Sequence, residues 1–406
     1  MKILALCSSL DLRYPYSSTP AWWQLLKGLY ESGVEVLATT YQGEALESLW
    51  WASIPNPCYV EGEVFRRLRA AGNRFRAQPQ GAVSVSARES RADQASRLVA
   101  QRWIRPRWER HLARTIEQHP DLDAILVLTV PLNHLTGLPS HLRQRYGIPI
   151  WFYDGDVPAS LPSFAGFQSG FRIYQGADLA EYDGFLSNSQ GGVAQLLAMG
   201  ARRADVLYYG ADPEVFAPVD VPQDFDAFFY GHGYEYRREW VEAMLTMPSK
   251  AITGSRFALR GTRFDIDLGT TERLPYLSFS KLREYCCRSR INLNITRKAH
   301  ASVHASSTSR PFELASLGCC IVSNPYEGIE EWFEPGKELF VVHSAEEATE
   351  TYRWLLAHDD ERRQVGARAR QRVLAQHTFR HRADELIDIL RGHGRATSEV
   401  TAPASS

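Results

Sequence analysis

The chain has 406 residues, too many for one ordinary hydrophobic core and enough for two domains of roughly 200 residues each. Its 44% hydrophobic and 23% charged residues are those of a globular protein, and a formal net charge of −1 gives no overall pull toward nucleic acid. No apolar run reaches the roughly 20 residues that span a bilayer, and the six cysteines lack CxxC or zinc spacing, so buried thiols in a reducing cytoplasm are expected.

Residues 2–7 are an apolar run that predicts a buried first strand. A turn follows it rather than a small-residue cleavage site, so it reads as structure and not as a secretion signal. Thr19 and Pro20 read as the N-cap and first residue of an amphipathic helix over 20–32. Trp22, Leu25, Leu26 and Leu29 recur there at helical spacing, and Gly33 suits a left-handed C-terminal cap. Further strands are predicted at 34–40, 124–130, 148–153, 184–188 and 205–209, with helical stretches between them. That alternation predicts a parallel sheet covered on both faces.

Gly210, Pro213, Pro218 and Pro222 interrupt the pattern, and the domain boundary is placed there. The alternation restarts with strands at 227–230, 291–295, 319–323 and 339–342 and helices at 236–247 and 309–317. Three helical stretches close the chain, and the Ser-, Thr- and Ala-rich tail after Gly394 is expected to be disordered. The expected boundaries are therefore a first domain over 1–215, a second over 216–376, a closing helical segment over 377–393 and a tail over 394–406.

The densest chemical signal lies at 306–323. Ser306, Ser307, Thr308 and Ser309 precede a helix with Pro311 in its first turn. A helix start offers free N–H groups and a partial positive charge, which suit phosphate. Arg310 adds a forked cation fitted to a diphosphate, and Glu313, about one turn on, can accept hydrogen bonds from ribose hydroxyls. The same residues also suit a capped helix with a solvated Arg.

This stretch resembles the donor-binding motif of GT-B glycosyltransferases, and most of all that of the CgeB-type spore-maturation group. Three other stretches share the resemblance: 188–218, which resembles the passage into the interdomain linker; Phe229-Tyr230-Gly231-His232-Gly233 with Arg237-Arg238, which is similar to the first strand and glycine loop of a donor domain; and 290–297, similar to the strand before the donor motif. The resemblance spans roughly residues 184–380 and is specific in order and spacing. It implies a fold of α/β class: GT-B, two Rossmann-like doubly wound domains facing each other across a cleft, with 1–215 on the acceptor side, 216–376 on the donor side and the helix over 377–393 crossing back to the first.

It also implies transfer of a sugar from a nucleoside diphosphate sugar to an acceptor hydroxyl. Gly231 and Gly233 would let backbone approach the donor, Arg238, Arg297 and Arg310 would stabilise the leaving diphosphate, Thr308 and Ser309 would meet its phosphates, and Glu313 would hold the ribose. No metal or other cofactor is expected. The sequence departs from the family at Ala305, where many retaining members carry a first glutamate, so the two-glutamate signature is incomplete.

Asp154-Gly155-Asp156 ends the strand at 148–153, and either carboxylate is a candidate to orient or deprotonate the acceptor. The triplet also fits a loop turn, or the metal-binding DxD of a GT-A-like transferase, an alternative that stays open. Asp121/Asp123, Asp224/Asp226 and Asp265/Asp267 match the DxD spacing equally. A non-catalytic nucleotide-sugar binding protein is the third reading. Finally, residues 61–120 hold thirteen Arg against six acidic residues, with Trp103 and Trp108 among them. Such a run is a solvated helix face or a peripheral contact with anionic membrane. The sequence has no Walker A loop, HExxH or GxSxG.

Overall fold

The computed structural model describes residues 1–10, 21–64, 67, 91–162, 173–233, 237–262, 264–275 and 279–392. The expected cap Thr19–Pro20, most of the Arg-rich run before residue 91 and the tail from 393 lie outside the described residues.

Two parallel sheets organise the molecule. The first contains β1 Lys2–Cys7, β2 Glu35–Thr40, β3 Ala52–Ser53, β4 Ala124–Leu128, β5 Ile150–Asp154, β6 Gly184–Ser187 and β7 Ala204–Val206, in the order β3-β2-β1-β4-β5-β6-β7. The second contains β8 Phe225–His232, β9 Phe257–Thr262, β10 Glu272–Leu274, β11 Ser289–Asn294, β12 Ile321–Ser323 and β13 Phe340–Val341, in the order β10-β9-β8-β11-β12-β13. Both are doubly wound: each runs outward one way from its first strand and then reverses. The reversal, at β1/β4 and at β8/β11, opens a crevice beyond the carboxyl ends of the strands where ligands bind.

The continuous apolar run of β1 follows from this burial on both faces. Ile3, Ala5 and Cys7 join one core cluster, while Leu4 and Leu6 join the cluster on the opposite face. The helix Ala21–Glu31 covers the first of these faces with Leu25, Leu26 and Leu29.

The last described helix, Phe379–Leu390, packs on this same face. Its Phe379, Ala383, Leu386 and Ile387 stand in the cluster with Leu25 and Leu29, although the helix follows the second sheet in the chain. The two helices meet at Gly28, where a Cβ would lie 2.6 Å from the Phe379 carbonyl oxygen. Thr378 caps the helix by accepting from His381 N–H, and Ala211 N–H donates to the His377 carbonyl at 3.1 Å. The linker and the returning chain are therefore stitched side by side.

Some elements differ from expectation. The helix expected at 236–247 is three pieces, Arg238–Val241, a π-turn Glu242–Thr246 and Met247–Ala251. Pro248 has no N–H for the carbonyl one turn back, so the hydrogen-bond ladder slips there. The strand expected to reach residue 209 stops at Val206, because the Tyr209 N–H turns away to the Ser307 hydroxyl at 2.9 Å. Among the described residues, no helix is long and apolar enough to cross a membrane.

Candidate active site

The carboxyl ends of β8 and β11 and the start of the helix Ser309–Ser316 converge at the switch point of the second sheet. Arg310 lies across this junction. Its Nη1 donates to the Ile295 carbonyl at 2.9 Å, and its guanidinium stacks over Tyr230, 5.0 Å from the ring centroid. Gly231 makes room for it, since a Cβ there would stand 3.2 Å from Arg310 Nη2. Glu313 is 1% exposed, and its Oε2 accepts from the Tyr230 hydroxyl at 3.1 Å. Arg310 and Glu313 line one cleft with Thr308, Ser309, Thr296, Arg297 and Arg237.

The first sheet supplies the other wall through Gly155, Asp156 and Tyr209. The turn after β5 is tightly built. The Gly155 carbonyl accepts from Tyr209 Oη at 2.9 Å, and a Cβ on Gly155 would meet that oxygen at 2.4 Å and Trp22 at 2.7 Å. Thr129 supports the turn with a left-handed backbone, φ 52°, in which its N–H donates to the Tyr153 carbonyl at 2.9 Å. A β-branched residue holds that conformation at a cost of about 1–3 kcal/mol, so the surrounding packing imposes it.

An ion pair spans the cleft. Arg297 donates to both oxygens of Asp156, with Nη1 to Oδ2 at 3.4 Å, and its Nη2 lies 2.7 Å from His300 Nε2. Burial by itself raises the Asp156 carboxyl, but Arg297 and His300 outweigh it and hold the group well below the usual carboxylate range. Burial first, and Arg297 second, push His300 down to about 4, so its imidazole is neutral at pH 7.

The two halves also meet through backbone. Ser307 N–H donates to the Asn188 carbonyl at 2.8 Å, Asn188 Nδ2 returns a bond to the Ser307 carbonyl at 2.7 Å, and Ser189 bridges Ser306. The Ser306–Ser309 loop is thus anchored to the first sheet's side while it opens the helix on the second. Ala305 just before it is fully buried with φ 46°, and a Cβ on Gly328 would lie 2.5 Å from its nitrogen. The position of the missing family glutamate is therefore a crowded left-handed corner.

Arg297, Thr308, Ser309, Arg310, Glu313 and Asp156 come together as expected positions in one cleft. Other expected residues stand elsewhere. Asp154 was a candidate acceptor base, but it is fully buried; Ser160 and Tyr174 donate to its Oδ2 and the Asp156 N–H to its Oδ1. It fixes the turn rather than facing the cleft, and burial raises it to about 6. Arg238 is exposed and outside the cleft, where its neighbour Arg237 takes the place expected of it. Gly233 is buried and does not line the cleft, and Gly231 acts by clearing space for Arg310.

The remaining DxD triplets are structural or surface features. Lys2 holds Asp121 and Asp123, Arg288 and Arg290 hold Asp224 and Asp226, and Lys250 holds Asp267. Trp108 is a core residue stacked on Tyr41, whereas Trp103 is 67% exposed. Sequence reasoning missed His300, Arg237, Tyr209 and Thr296 as cleft residues. Arg237, Tyr209 and Thr296 stood within the stretches singled out; the position of His300, three residues beyond Arg297 on a helical turn, was the signal available for it.

The whole chain superposes on solved GT-B structures. Sucrose-phosphate synthase from Thermosynechococcus elongatus matches at 13% identity and a TM-score of 0.65, covering 97% of this chain and 99% of that one. The E. coli trehalose-6-phosphate protein bound with UDP-2-fluoro glucose matches at 12% identity and 0.61, covering 96% and 99%. HepE from Anabaena in complex with UDP matches at 12% identity and 0.57, covering 97% and 100%. These likenesses define the fold class as GT-B. Residues 237–388 match the family described as Glycosyl transferase-like, so a glycosyl-transferase-like domain sits on this GT-B fold. No curated protein matches the chain in sequence.

Proposed function

We propose that the chain transfers a sugar from a UDP-sugar to an acceptor hydroxyl, without a metal ion. The observation that carries this is the convergence of Arg237, Arg297 and Arg310 on the start of the helix Ser309–Ser316, with Glu313 one turn inside it. Free N–H groups and three guanidinium groups match a diphosphate, whose charge grows as the glycosidic bond breaks. Glu313 takes the ribose, oriented by Tyr230. Thr308 and Ser309 meet the phosphates, and Asp156 faces the acceptor from the opposite wall. The neighbours solved with UDP, UDP-glucose and UDP-2-fluoro glucose favour uridine as the base.

Residues 1–215 act in this reading as the acceptor side and 216–376 as the donor side, and CgeB-type enzymes serve as a functional model for it. The enzyme works in the cytoplasm, with Trp103 and the arginines around it meeting anionic membrane. Cations from side chains replace a metal because Asp154, half of the nearest DxD, is consumed within its own turn. The test is UDP-glucose turnover in the presence and absence of EDTA. Equal rates are expected, and a rate abolished by EDTA and restored by magnesium or manganese contradicts the metal-free mechanism.

A further inference from the structure

We propose that His300 takes the proton of the attacking hydroxyl, and that Arg297 blocks this until a diphosphate draws it away; the proposal rests on the nucleotide reading above. The hydrogen bonds fix the imidazole tautomer from both ends. The Val157 carbonyl can only accept, so the Ser306 hydroxyl hydrogen points to it at 2.9 Å. Ser306 Oγ must then accept from His300 Nδ1–H, 2.8 Å away. A guanidinium can only donate, so Nε2 must accept from Arg297 Nη2 at 2.7 Å. The proton sits on Nδ1, and the unprotonated Nε2 has its lone pair taken up by Arg297.

Asp156 Oδ1 lies 3.3 Å from that nitrogen. Two acceptors at this distance repel unless a donor lies between them, and Arg297 donates to both. A proton on Nε2 would do the same work, by converting the contact into an N–H···O bond to a carboxylate. The site is therefore built for one positive group between His300 and Asp156, and Arg297 fills that place in the free enzyme. The groups that face the imidazole are Asp156, Arg297 and Ser306, with Arg237 acting at longer range. Arg297 and Arg237 disfavour its protonation and Asp156 favours it.

A diphosphate seated on Ser309 and Arg310 competes for Arg297. Once the guanidinium moves to it, Nε2 and Asp156 face each other without a donor, and proton affinity at Nε2 rises. In the reaction the acceptor oxygen bonds to the anomeric carbon, and the bond from that carbon to the diphosphate breaks with its electron pair on the leaving group. The acceptor proton passes to Nε2, where Asp156 stabilises the imidazolium. Nothing is oxidised or reduced. When the diphosphate leaves, Arg297 returns and the proton is lost to water. The base is thus available only while a donor is bound.

Nitrogen-15 NMR of the wild-type chain, titrated with and without saturating UDP, tests the gate. The expected result is an Nδ1–H tautomer in the free protein and a His300 proton affinity at least tenfold higher with UDP, one pH unit. An unmoved or lowered titration with UDP bound overturns the proposal. His300→Gln supplies the second arm, because an amide can bond Ser306 and Arg297 but cannot take the proton. UDP-glucose hydrolysis should fall roughly 100-fold or more while UDP affinity stays within about threefold. Hydrolysis at the wild-type rate overturns the proposal. Calorimetry run beforehand separates the two levels: no UDP binding by the wild type refutes the nucleotide reading itself, and this inference with it.

Discussion

Glu313 is a buried side chain lining the cleft, with Tyr230 donating to one oxygen. In the proposed site a ribose supplies two hydroxyl donors to it. Glu313→Gln keeps the shape and removes the charge. Loss of a charge-assisted bond of about 1.5–3 kcal/mol should raise the UDP dissociation constant roughly tenfold or more by calorimetry. An unchanged constant would remove Glu313 from the nucleotide site. The same chemistry of burial governs pH. Burial pushes His134 and His300 down to about 4 and His377 to about 3. Between pH 6.5 and 4 the unfolded chain binds protons at these positions that the native state refuses, so stability falls as pH falls. Asp154, raised to about 6, opposes this with one proton taken up by the native state over part of the range. His111 is lowered and Glu181 raised by burial as well, so the buried histidines outnumber the raised carboxyls and thermal unfolding at pH 5 should occur below that at pH 7.5. An equal or higher midpoint at pH 5 would contradict the assignment of neutral buried histidines.

At the scale of elements, the helical stretch 91–118 presents two different faces. Trp108 is sealed in the core, while Leu98, Val99 and Trp103 stay exposed. Arg107 pairs with Glu61 and Arg105 with Glu109. If the exposed face meets anionic lipid, vesicle binding should weaken steeply with salt and weaken again on Trp103→Ala. Failure to co-sediment with anionic vesicles at low salt would return the face to water. The elements also mark what was legible in the sequence. β1, β4 and β5 were readable because burial on both faces leaves an unbroken apolar run. β9 was not, since Arg260 and Gly261 interrupt it, and β10 is three residues on an exposed edge. The helix Ser309–Ser316 was legible because Thr308, Arg310 and Glu313 are local in sequence. Two things were not: whether Asp154 or Asp156 faces the cleft, and whether Arg237 or Arg238 does. Each choice depends on a rotation of one residue that tertiary contacts settle. His300 was hidden for the same reason, since its partners Asp156 and Ser306 come from opposite walls.

At the scale of the whole molecule, the chain passes twice between the sheets, through the linker at 207–224 and again at 377–379. The two passages are bonded together at Ala211 and His377, and Arg382 Nε adds a bond to the Tyr209 carbonyl at 3.0 Å. Two connections would restrict relative motion of the halves to a hinge, with Ser307 and Asn188 on one side and the Asp156–Arg297 pair across the cleft. Donor binding at Arg310 and Arg297 favours whichever arrangement contacts it best. Gly28→Val tests the hinge without deleting its core. The added side chain strikes the Phe379 carbonyl, so the final helix must shift. Transfer should fall more than UDP affinity, because the proposed nucleotide contacts lie mainly on the second sheet's side. Equal losses in both would show that the helix merely stabilises the fold.

The central claim is that a uridine diphosphate lies between Arg310, Arg297 and Glu313. A crystal structure of the chain with UDP tests it most directly. The diphosphate is expected at the start of the helix Ser309–Ser316, within hydrogen-bond reach of Arg310 and Arg297, and the ribose on Glu313. The nucleotide found elsewhere, or these three side chains left without contact to it, would contradict the account.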